Sequence, residues 1–247
     1  MSEIQRERAR SRRRAILVAA GIVVVLIVAG LTFKNYWDAR VRAAYQHSTD
    51  VYTPKPVANP KVALFIGDGM VQGNGATATS KRFSSIVANT YHWFEINVAT
   101  GGAGYFAGNP NLVTQVATFK KYKPSIIFVS AGRSDGWSPD VQINVAKFYR
   151  ELRVLFKKTR ILVVAPLNNQ PIATPPPTPS PIDLLQNAVR GAAYSANAVY
   201  VPVENLLANN PQLLSTDAYN PNDAGHKAIA QAIINALKNN GVNPPKS

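Results

Sequence analysis

Cysteine is absent from the 247-residue chain, and histidine is scarce. Without cysteine the protein forms no disulfide and offers no thiolate to a metal ion. The three histidines, His47, His92 and His226, do not have the spacing of a zinc motif such as H-x-x-x-H or H-E-x-x-H. We therefore expect a domain that is stable without covalent bridges and that uses neither a metal ion nor another cofactor.

Acidic side chains are also few, because 13 Asp and Glu stand against 27 Lys and Arg, for a formal charge of +14. A chain this basic raises the question of nucleic-acid binding. The distribution argues against that partner, since six arginines fall within residues 1–14 and the remaining excess is scattered without interleaved aromatic residues. Residues 1–14 are predicted to be a basic tail.

No charged residue occurs from Ala15 to Phe33. A helix of this length rises about 1.5 Å per residue and covers roughly the ~30 Å hydrocarbon core of a bilayer. The run exceeds the roughly 7 to 15 apolar residues of a signal peptide, and no A-x-A-like cleavage site closes it. We expect residues 15–33 to form an uncleaved transmembrane helix, which makes the lipid bilayer a partner.

The charges on either side of this segment predict its orientation. The arginines of the tail outnumber Lys34, Arg40 and Arg42, so the positive-inside rule keeps the amino terminus in the cytoplasm. Residues 34–60 are polar and end in a proline-containing stretch, which indicates a juxtamembrane stalk and linker. The sequence predicts a single-pass cell-membrane protein whose carboxyl-terminal domain is extracytoplasmic.

Five short apolar runs follow, and helical patterns separate them. The runs start at Val62, Trp93, Pro124, Arg160 and Ala198. The predicted helices are Ala76–Thr90, Leu112–Lys121, Pro139–Lys158, Ile182–Ala196 and Asn222–Leu237. This alternation predicts an α/β domain over residues 61–240, with a doubly wound, five-stranded parallel sheet of the flavodoxin-like type in three layers. Residues 241–247 would form a short tail, and the proline-rich segment 171–181 a connector.

Glycine, aspartate and asparagine cluster where the strands end. The four clusters are Gly67-Asp68-Gly69, Gly101 to Tyr105, Gly132-Arg133-Ser134-Asp135, and Asp217 to His226. Ligands of open α/β sheets bind in crevices at the carboxyl ends of the strands. Asp68, Arg133 and Asp135 are therefore candidate ligand-binding residues, although aspartates at such places also serve as turn and cap acceptors.

In order and spacing these four clusters resemble the blocks of the SGNH (GDSL-type) hydrolases, especially their actinobacterial esterase-like branch. The resemblance covers residues 60–240. It implies a serine nucleophile at the position of Gly69, oxyanion-hole groups at Gly69, Gly102 and Ser134, and an Asp–His pair at Asp217 and Asn220. Of these functional positions, only Gly102 and Asp217 carry the residue that the family has.

The replacements at the other positions remove chemistry. Glycine has no side-chain oxygen to acylate, and asparagine does not take up a proton near neutral pH, so Gly69 and Asn220 supply neither nucleophile nor base. Ser134 keeps a hydroxyl but is shorter than asparagine. His226 is a candidate for a relocated base, but its position six residues after Asn220 matches the start of the last helix instead.

These observations predict a catalytically inactive pseudoenzyme that acts as a binding or scaffolding module at the cell envelope. Its ligand would be an acylated or glycan envelope component, or a membrane protein partner. Two alternatives remain open. One is a weak or mechanistically altered esterase or acyltransferase that acts on acylated envelope components, and the other is a structural subunit of a membrane assembly.

Overall fold

A computed structural model of the chain describes residues 28–32, 34–35, 61–169 and 179–245. The predicted basic tail, most of the predicted transmembrane segment, nearly all of the stalk and most of the proline-rich segment lie outside the described residues. Residues 28–32, 34 and 35 are helical, and the hydroxyl of Thr32 donates to the carbonyl of Val28 at 3.0 Å. Within the described residues, no helix is long and apolar enough to cross a bilayer.

Five parallel strands form one sheet in the order β2-β1-β3-β4-β5. They are β1 (Val62–Gly67), β2 (Phe94–Asn97), β3 (Ile126–Ser130), β4 (Arg160–Val164) and β5 (Val199–Val201). This order confirms the predicted flavodoxin-like sheet. The chain moves outward from β1 in both directions, so the crevice between the carboxyl ends of β1 and β3 lies at the switch point of the sheet.

The α-helices flank this sheet on both faces. They are α1 (Gly69–Gln72), α2 (Phe83–Thr90), α3 (Leu112–Gln115), α4 (Pro139–Leu155), α5 (Pro181–Ser195) and α6 (Asp223–Asn239). Three short 3₁₀ helices complete the described elements, at Thr79–Lys81, Val116–Tyr122 and Pro211–Leu213. Asn222 caps α6, because its side-chain oxygen accepts from the amide of Gly225 at 3.0 Å.

Two of the predicted helices were wrong in extent. The helix predicted from Ala76 starts only at Phe83, because the backbone and hydroxyl of Thr77 donate to the Asp223 carboxylate and hold the segment in a loop. The helix predicted over Leu112–Lys121 is α-helical only to Gln115 and continues as a 3₁₀ helix. In that tighter helix, residues three apart stand above one another, and Val116 and Phe119 are both buried.

Alternate side chains of the buried strands enter two hydrophobic clusters, one on each face of the sheet. Ala63, Phe65 and Phe128 pack with α2 and α6 on one face. Leu64 and Ile127 pack with α3, α4 and α5 on the other face. The result is the predicted three-layer arrangement, and it fixes the strand ends from which the candidate site is built.

Candidate functional site

The first turn after β1 is organised by Asp68. Its carboxylate accepts from the amide of Met70 at 3.0 Å and caps the single turn of α1. The side chain is buried, and this burial raises the pKa of Asp68 above its ordinary value, while the positive charge of Arg133 opposes the rise. Asp68 therefore serves the turn as an acceptor beneath the crevice.

Gly69, which the sequence analysis predicts to be the position of the family's nucleophile, lies directly against Asn74. The amide of Asn74 donates to the carbonyl of Gly69 at 2.9 Å, and a Cβ atom built on Gly69 would lie 2.2 Å from Nδ2 of Asn74. Asn74 is 1% exposed, and neither Nδ2 nor Oδ1 has a hydrogen-bond partner within the described residues. The Asn74 carboxamide thus fills the volume that a side chain at position 69 would need.

The second glycine-rich turn lies beside the first. The same Cβ position on Gly69 is 3.6 Å from Cα of Gly101, and the amide of Thr100 donates to the carbonyl of Gly67 at 3.0 Å. Gly102 has a φ of +78° and is exposed, with open space where a Cβ would be. Gly101 is therefore the glycine of this turn that stands against position 69, and Gly102 forms the bend that follows it.

In the third turn, one residue contacts the last block and another is exposed to solvent. The guanidinium of Arg133 lies 3.9 Å from the ring centroid of Tyr219 and donates to the Tyr219 carbonyl at 2.6 Å. Ser134, which the sequence analysis predicts to be the position of the family's oxyanion asparagine, is exposed. Arg133 thereby connects the third block to the last one.

Asp135 stabilises the second turn through hydrogen bonds. Its carboxylate accepts from the amides of Tyr105, Phe106 and Ala107 at 2.8, 2.8 and 2.7 Å. A Cβ on Gly104 would lie 2.3 Å from the same carboxylate, so only glycine fits there. The hydrogen bonds of Asp135 correspond to the turn-acceptor alternative of the sequence analysis and not to a free ligand contact.

In the last block, Asp217 and Asn220 form a hydrogen-bonded pair, at the positions where the resemblance predicts an aspartate and a histidine. Asp217 Oδ2 accepts from Nδ2 of Asn220 at 2.6 Å, while Oδ1 accepts from the Asn220 amide, the Tyr219 amide and the Ser215 hydroxyl. Burial opposes ionisation of Asp217, but these donors outweigh it and hold its pKa below the ordinary value. An aspartate here orients an amide that does not accept a proton.

His226 is fully buried within α6. Its Nδ1 accepts from the amide of Phe83 at 3.3 Å, which assigns the ring proton to Nε2, and Nε2 lies 3.1 Å from the carbonyl oxygen of Asn74. Burial lowers the pKa of His226 to about 4. The neutral imidazole joins the loop after α1 to the start of α2, and both of its nitrogens are engaged in that role.

Asn74 and Tyr219 were not singled out as site residues from the sequence, although the structure gives both a place at the junction of the blocks. A signal for Asn74 was present, since it stands between Gly73 and Gly75. A Cβ on Gly75 would lie 2.2 Å from the Pro221 carbonyl, so the glycine permits close approach of the first block to the last. In the described part of the chain, no group of three or more His, Cys, Asp or Glu side chains is arranged to hold a metal ion.

A parallel sheet in this strand order, with four turns meeting at its carboxyl edge and an Asp217–Asn220 pair on the last, defines the SGNH-type α/β class. Residues 65–228 match the GDSL-like lipase/acylhydrolase family, so the chain belongs to this family.

Individual relatives agree with this assignment. The GDSL lipase Rv0518 of Mycobacterium tuberculosis (strain ATCC 25618 / H37Rv) is 25% identical over 231 residues, covering 86% of this chain and 93% of that protein. The crystal structure of TesA superposes with a TM-score of 0.61 at 16% identity, over 72% of this chain and 99% of that one. The salicylyl-acyltransferase SsfX3 from a tetracycline biosynthetic pathway gives 0.59 at 17% identity, over 78% of this chain and 59% of its own. These two likenesses concern the fold.

Proposed function

We propose that this protein is a membrane-anchored, extracytoplasmic GDSL-like domain that no longer hydrolyses esters and instead binds an acylated component of the cell envelope. The observation that carries the proposal is the exchange at the nucleophile position. Gly69 offers no hydroxyl, and the carboxamide of Asn74 occupies the space in which a hydroxyl would stand. An acyl-enzyme therefore has no attachment point at the position that the family uses.

Loss of a proton acceptor supports the same conclusion. Asn220 is bound to Asp217 through its amide nitrogen, which donates and does not accept. His226 does not replace it, because both ring nitrogens contact backbone groups and its pKa of about 4 reflects burial in the core. Neither Asn220 nor His226 can therefore activate a serine or a water molecule as a general base.

Buried polar atoms without a hydrogen-bond partner support the proposal that the domain binds a ligand. Nδ2 and Oδ1 of Asn74, together with the hydroxyl of Ser130 at the carboxyl end of β3, are buried without a hydrogen-bond partner in the described residues. Leaving such a group unpaired costs about 1–3 kcal/mol. A ligand carbonyl that enters beside Gly69 would accept from Nδ2 of Asn74, and an ester or acetyl group carries such an oxygen.

The family relationship agrees with an acylated ligand. The relatives named above include a lipase and an acyltransferase, which act on acyl groups. We place the domain outside the cell because the predicted transmembrane segment, residues 15–33, follows the arginine-rich tail. The ligand would then be an acylated glycan or lipid of the envelope.

The experiment measures turnover and binding on the same full-length protein. We expect no hydrolysis of a chromogenic acetyl ester above a Gly69→Ala control, and no labelling by a serine-directed fluorophosphonate. In calorimetry, an O-acetylated oligosaccharide should bind saturably and its deacetylated form should not. Asn74→Ala should weaken binding roughly tenfold or more through loss of paired polar contacts, whereas Asn187→Ala, an exposed asparagine of α5, should not.

Two results would contradict the proposal. Robust wild-type hydrolysis that survives Gly69→Ala would show an active site that does not use the family's nucleophile position. Equal binding of the acetylated and deacetylated oligosaccharides would exclude recognition of the acyl group.

A further inference from the structure

The edge of the sheet at which the strands begin carries a concentration of lysines. The register pairs Ala63 with Ile126 and Ile126 with Arg160, so the segments that lead into β1, β3 and β4 end side by side. Each of these segments contributes exposed cations. We call the set the amino-edge patch, and it consists of Lys61, Lys120, Lys121, Lys123, Lys157 and Lys158.

Further cations extend the amino-edge patch. Lys238 lies in the last turn of α6, and the guanidinium of Arg160 donates to the Asn240 carbonyl at 2.9 Å, which brings the end of α6 to the same edge. Arg150 is exposed near the end of α4. The positive surface is therefore wider than the six lysines that define the patch.

Most acidic residues of the described domain lie at the opposite edge. Four of them follow strands: Asp68, Asp135, Glu204 and Asp217. Three others lie in the first turns of helices: Asp140, Asp183 and Asp223. Of the other two acidic residues, Glu95 is buried and pairs with Arg82 at 3.0 Å, and Glu151 lies near the end of α4. Within the described residues, no ion pair involves a lysine of the amino-edge patch.

Helix stabilisation does not account for this surface. Cations are favourable in the last turn of a helix, and Arg153 and Lys238 occupy such positions. Arg153 is also engaged, because its Nε donates to the Ala196 carbonyl at 2.7 Å. In contrast, Lys61, Lys123, Lys157 and Lys158 lie outside the regular helices and face solvent, so the charges they bring have no internal role.

Apolar side chains are exposed at the same edge. Phe94 at the start of β2, Val154 near the end of α4 and Tyr194 near the end of α5 are 43%, 65% and 64% exposed. A groove of about 670 Å³ lies between α4 and the 3₁₀ helix at 116–122. Its lining includes the apolar Val116, Val154 and Leu155, the three cations Lys120, Arg150 and Lys157, and one acid, Glu151. Exposed cations beside exposed aromatic and aliphatic groups are found on surfaces that contact lipid headgroups.

We propose that the amino-edge patch docks the domain on the anionic headgroups of a bilayer. This inference rests on the membrane anchorage proposed above. The chain enters the domain at Lys61, which belongs to the patch, and the apolar run 15–33 precedes it in the sequence. Attraction between the exposed lysines and anionic headgroups would hold this edge of the domain against the lipid. The crevice at the carboxyl edge would then face away from the bilayer.

The absence of native cysteine allows a direct test with single-cysteine variants of the full-length protein. Asn239→Cys and Ala224→Cys place a fluorophore at exposed positions near opposite ends of α6, about 22 Å apart at 1.5 Å per residue. The labelled proteins are reconstituted in phosphatidylcholine vesicles, with and without phosphatidylglycerol. Quenching by a nitroxide on the lipid headgroup reports the proximity of each label to the membrane surface.

We expect phosphatidylglycerol to increase quenching at position 239 at least twofold, and added salt to reverse the increase, because screening weakens exposed charge interactions. The label at position 224 should change little. The double variant Lys121→Glu/Lys158→Glu should abolish the increase. Lys147→Glu/Lys227→Glu, which changes the net charge equally but away from the patch, should preserve it.

Equal quenching at the two positions, or equal effects of the two double variants, would overturn the proposal, because attraction would then depend on net charge alone. Flotation of the protein with phosphatidylcholine vesicles reports anchorage separately. If the protein does not float with them, the proposed anchorage is wrong. The difference in quenching between positions 239 and 224 in phosphatidylglycerol vesicles would still show which edge of the domain contacts the membrane.

Discussion

Gly69 and Asn74 share one space, because a Cβ atom on Gly69 would lie 2.2 Å from Nδ2 of Asn74. The nearest atoms belong to a side chain, so the conflict depends on where the carboxamide points. At the proposed nucleophile position, the obstacle to a side chain is therefore the Asn74 carboxamide. Any attempt to introduce a serine there must deal with both residues.

Gly69→Ala should destabilise the protein by about 1–3 kcal/mol, as inserted atoms do in a closely packed site. In an Asn74→Ala background the same change should cost much less, because the obstructing carboxamide is gone. Urea unfolding of the four proteins in this double-mutant cycle measures the coupling. Gly191→Ala is the control, since its Cβ meets nothing within 4 Å and it lies in a helix, where alanine is preferred. Additive effects at positions 69 and 74 would show that they do not share space.

Rebuilding an esterase should require three changes, and a fourth should raise its rate. Gly69→Ser with Asn220→His restores the nucleophile and the base next to Asp217, yet we expect little turnover while Asn74 occupies the space of the serine. Adding Asn74→Ala should allow measurable hydrolysis of an acetyl ester. Adding Ser134→Asn should then raise the rate by roughly 10 to 10³-fold, as expected for an oxyanion-hole donor. Gly69→Ser alone should remain inactive because no base activates the hydroxyl.

Stability should fall as the pH decreases from 6.5 toward 4. The pKa of His226 is about 4 in the folded protein, below the ordinary 6.5, so in this window the unfolded chain binds a proton that the folded protein does not. The loss should reach about 3 kcal/mol, at roughly 1.4 kcal/mol per pH unit. Denaturant unfolding of wild type and His226→Gln between pH 7 and 5 checks this, since the variant should lose the slope. His92→Gln, at an exposed histidine, should keep it.

Asp135→Asn should loosen the second turn. The carboxylate accepts from three consecutive amides, and a neutral carboxamide offers only one acceptor oxygen in their place. We expect a loss of about 1–3 kcal/mol in unfolding free energy and faster hydrogen exchange at Phe106 and Ala107. Asp140→Asn, an exposed change in the first turn of α4, serves as the control and should have a smaller effect. Unchanged exchange at both amides would refute the structural role of Asp135.

Protease added to intact cells should remove the domain and leave residues 1–14 protected. The reason is the excess of arginine before Ala15, which should keep the amino terminus in the cytoplasm. Immunoblots with tags at either terminus distinguish the two ends, and a cytoplasmic protein provides the control for cell integrity. Protection of the carboxyl terminus would invert the proposed topology.

The central strands were predictable because each is a compact apolar run that is buried on both faces of a parallel sheet. Strands β1 and β4 begin at Val62 and Arg160, the residues at which the predicted runs start. The start of α2 was not predictable in this way, because the loop before it is held by Asp223, 146 residues further along the chain. Such a contact leaves no periodic signal in the sequence.

Part of the candidate site could also be predicted from the sequence, and part could not. The positions of Asp217 and Asn220 follow from the order of the blocks, and their direct hydrogen bond reflects a spacing of three residues in one turn. Asn74 has no counterpart in the four motif blocks, and its importance arises only when the fold brings its carboxamide onto Gly69. Likewise, the pairing of Arg133 with Tyr219 joins two loops that are 86 residues apart.

The hydrogen bonds of His226 to Phe83 and Asn74 have a consequence for how the crevice meets its ligand. They fasten the loop behind Gly69 to two core helices, so that loop cannot open without disturbing the hydrophobic interior. The wall at Asn74 is therefore preorganised, and its conformational entropy is lost on folding and not on association. The Asn74 carboxamide, whose buried atoms have no hydrogen-bond partner within the described residues, would turn toward an entering ligand while the backbone of this wall stays in place.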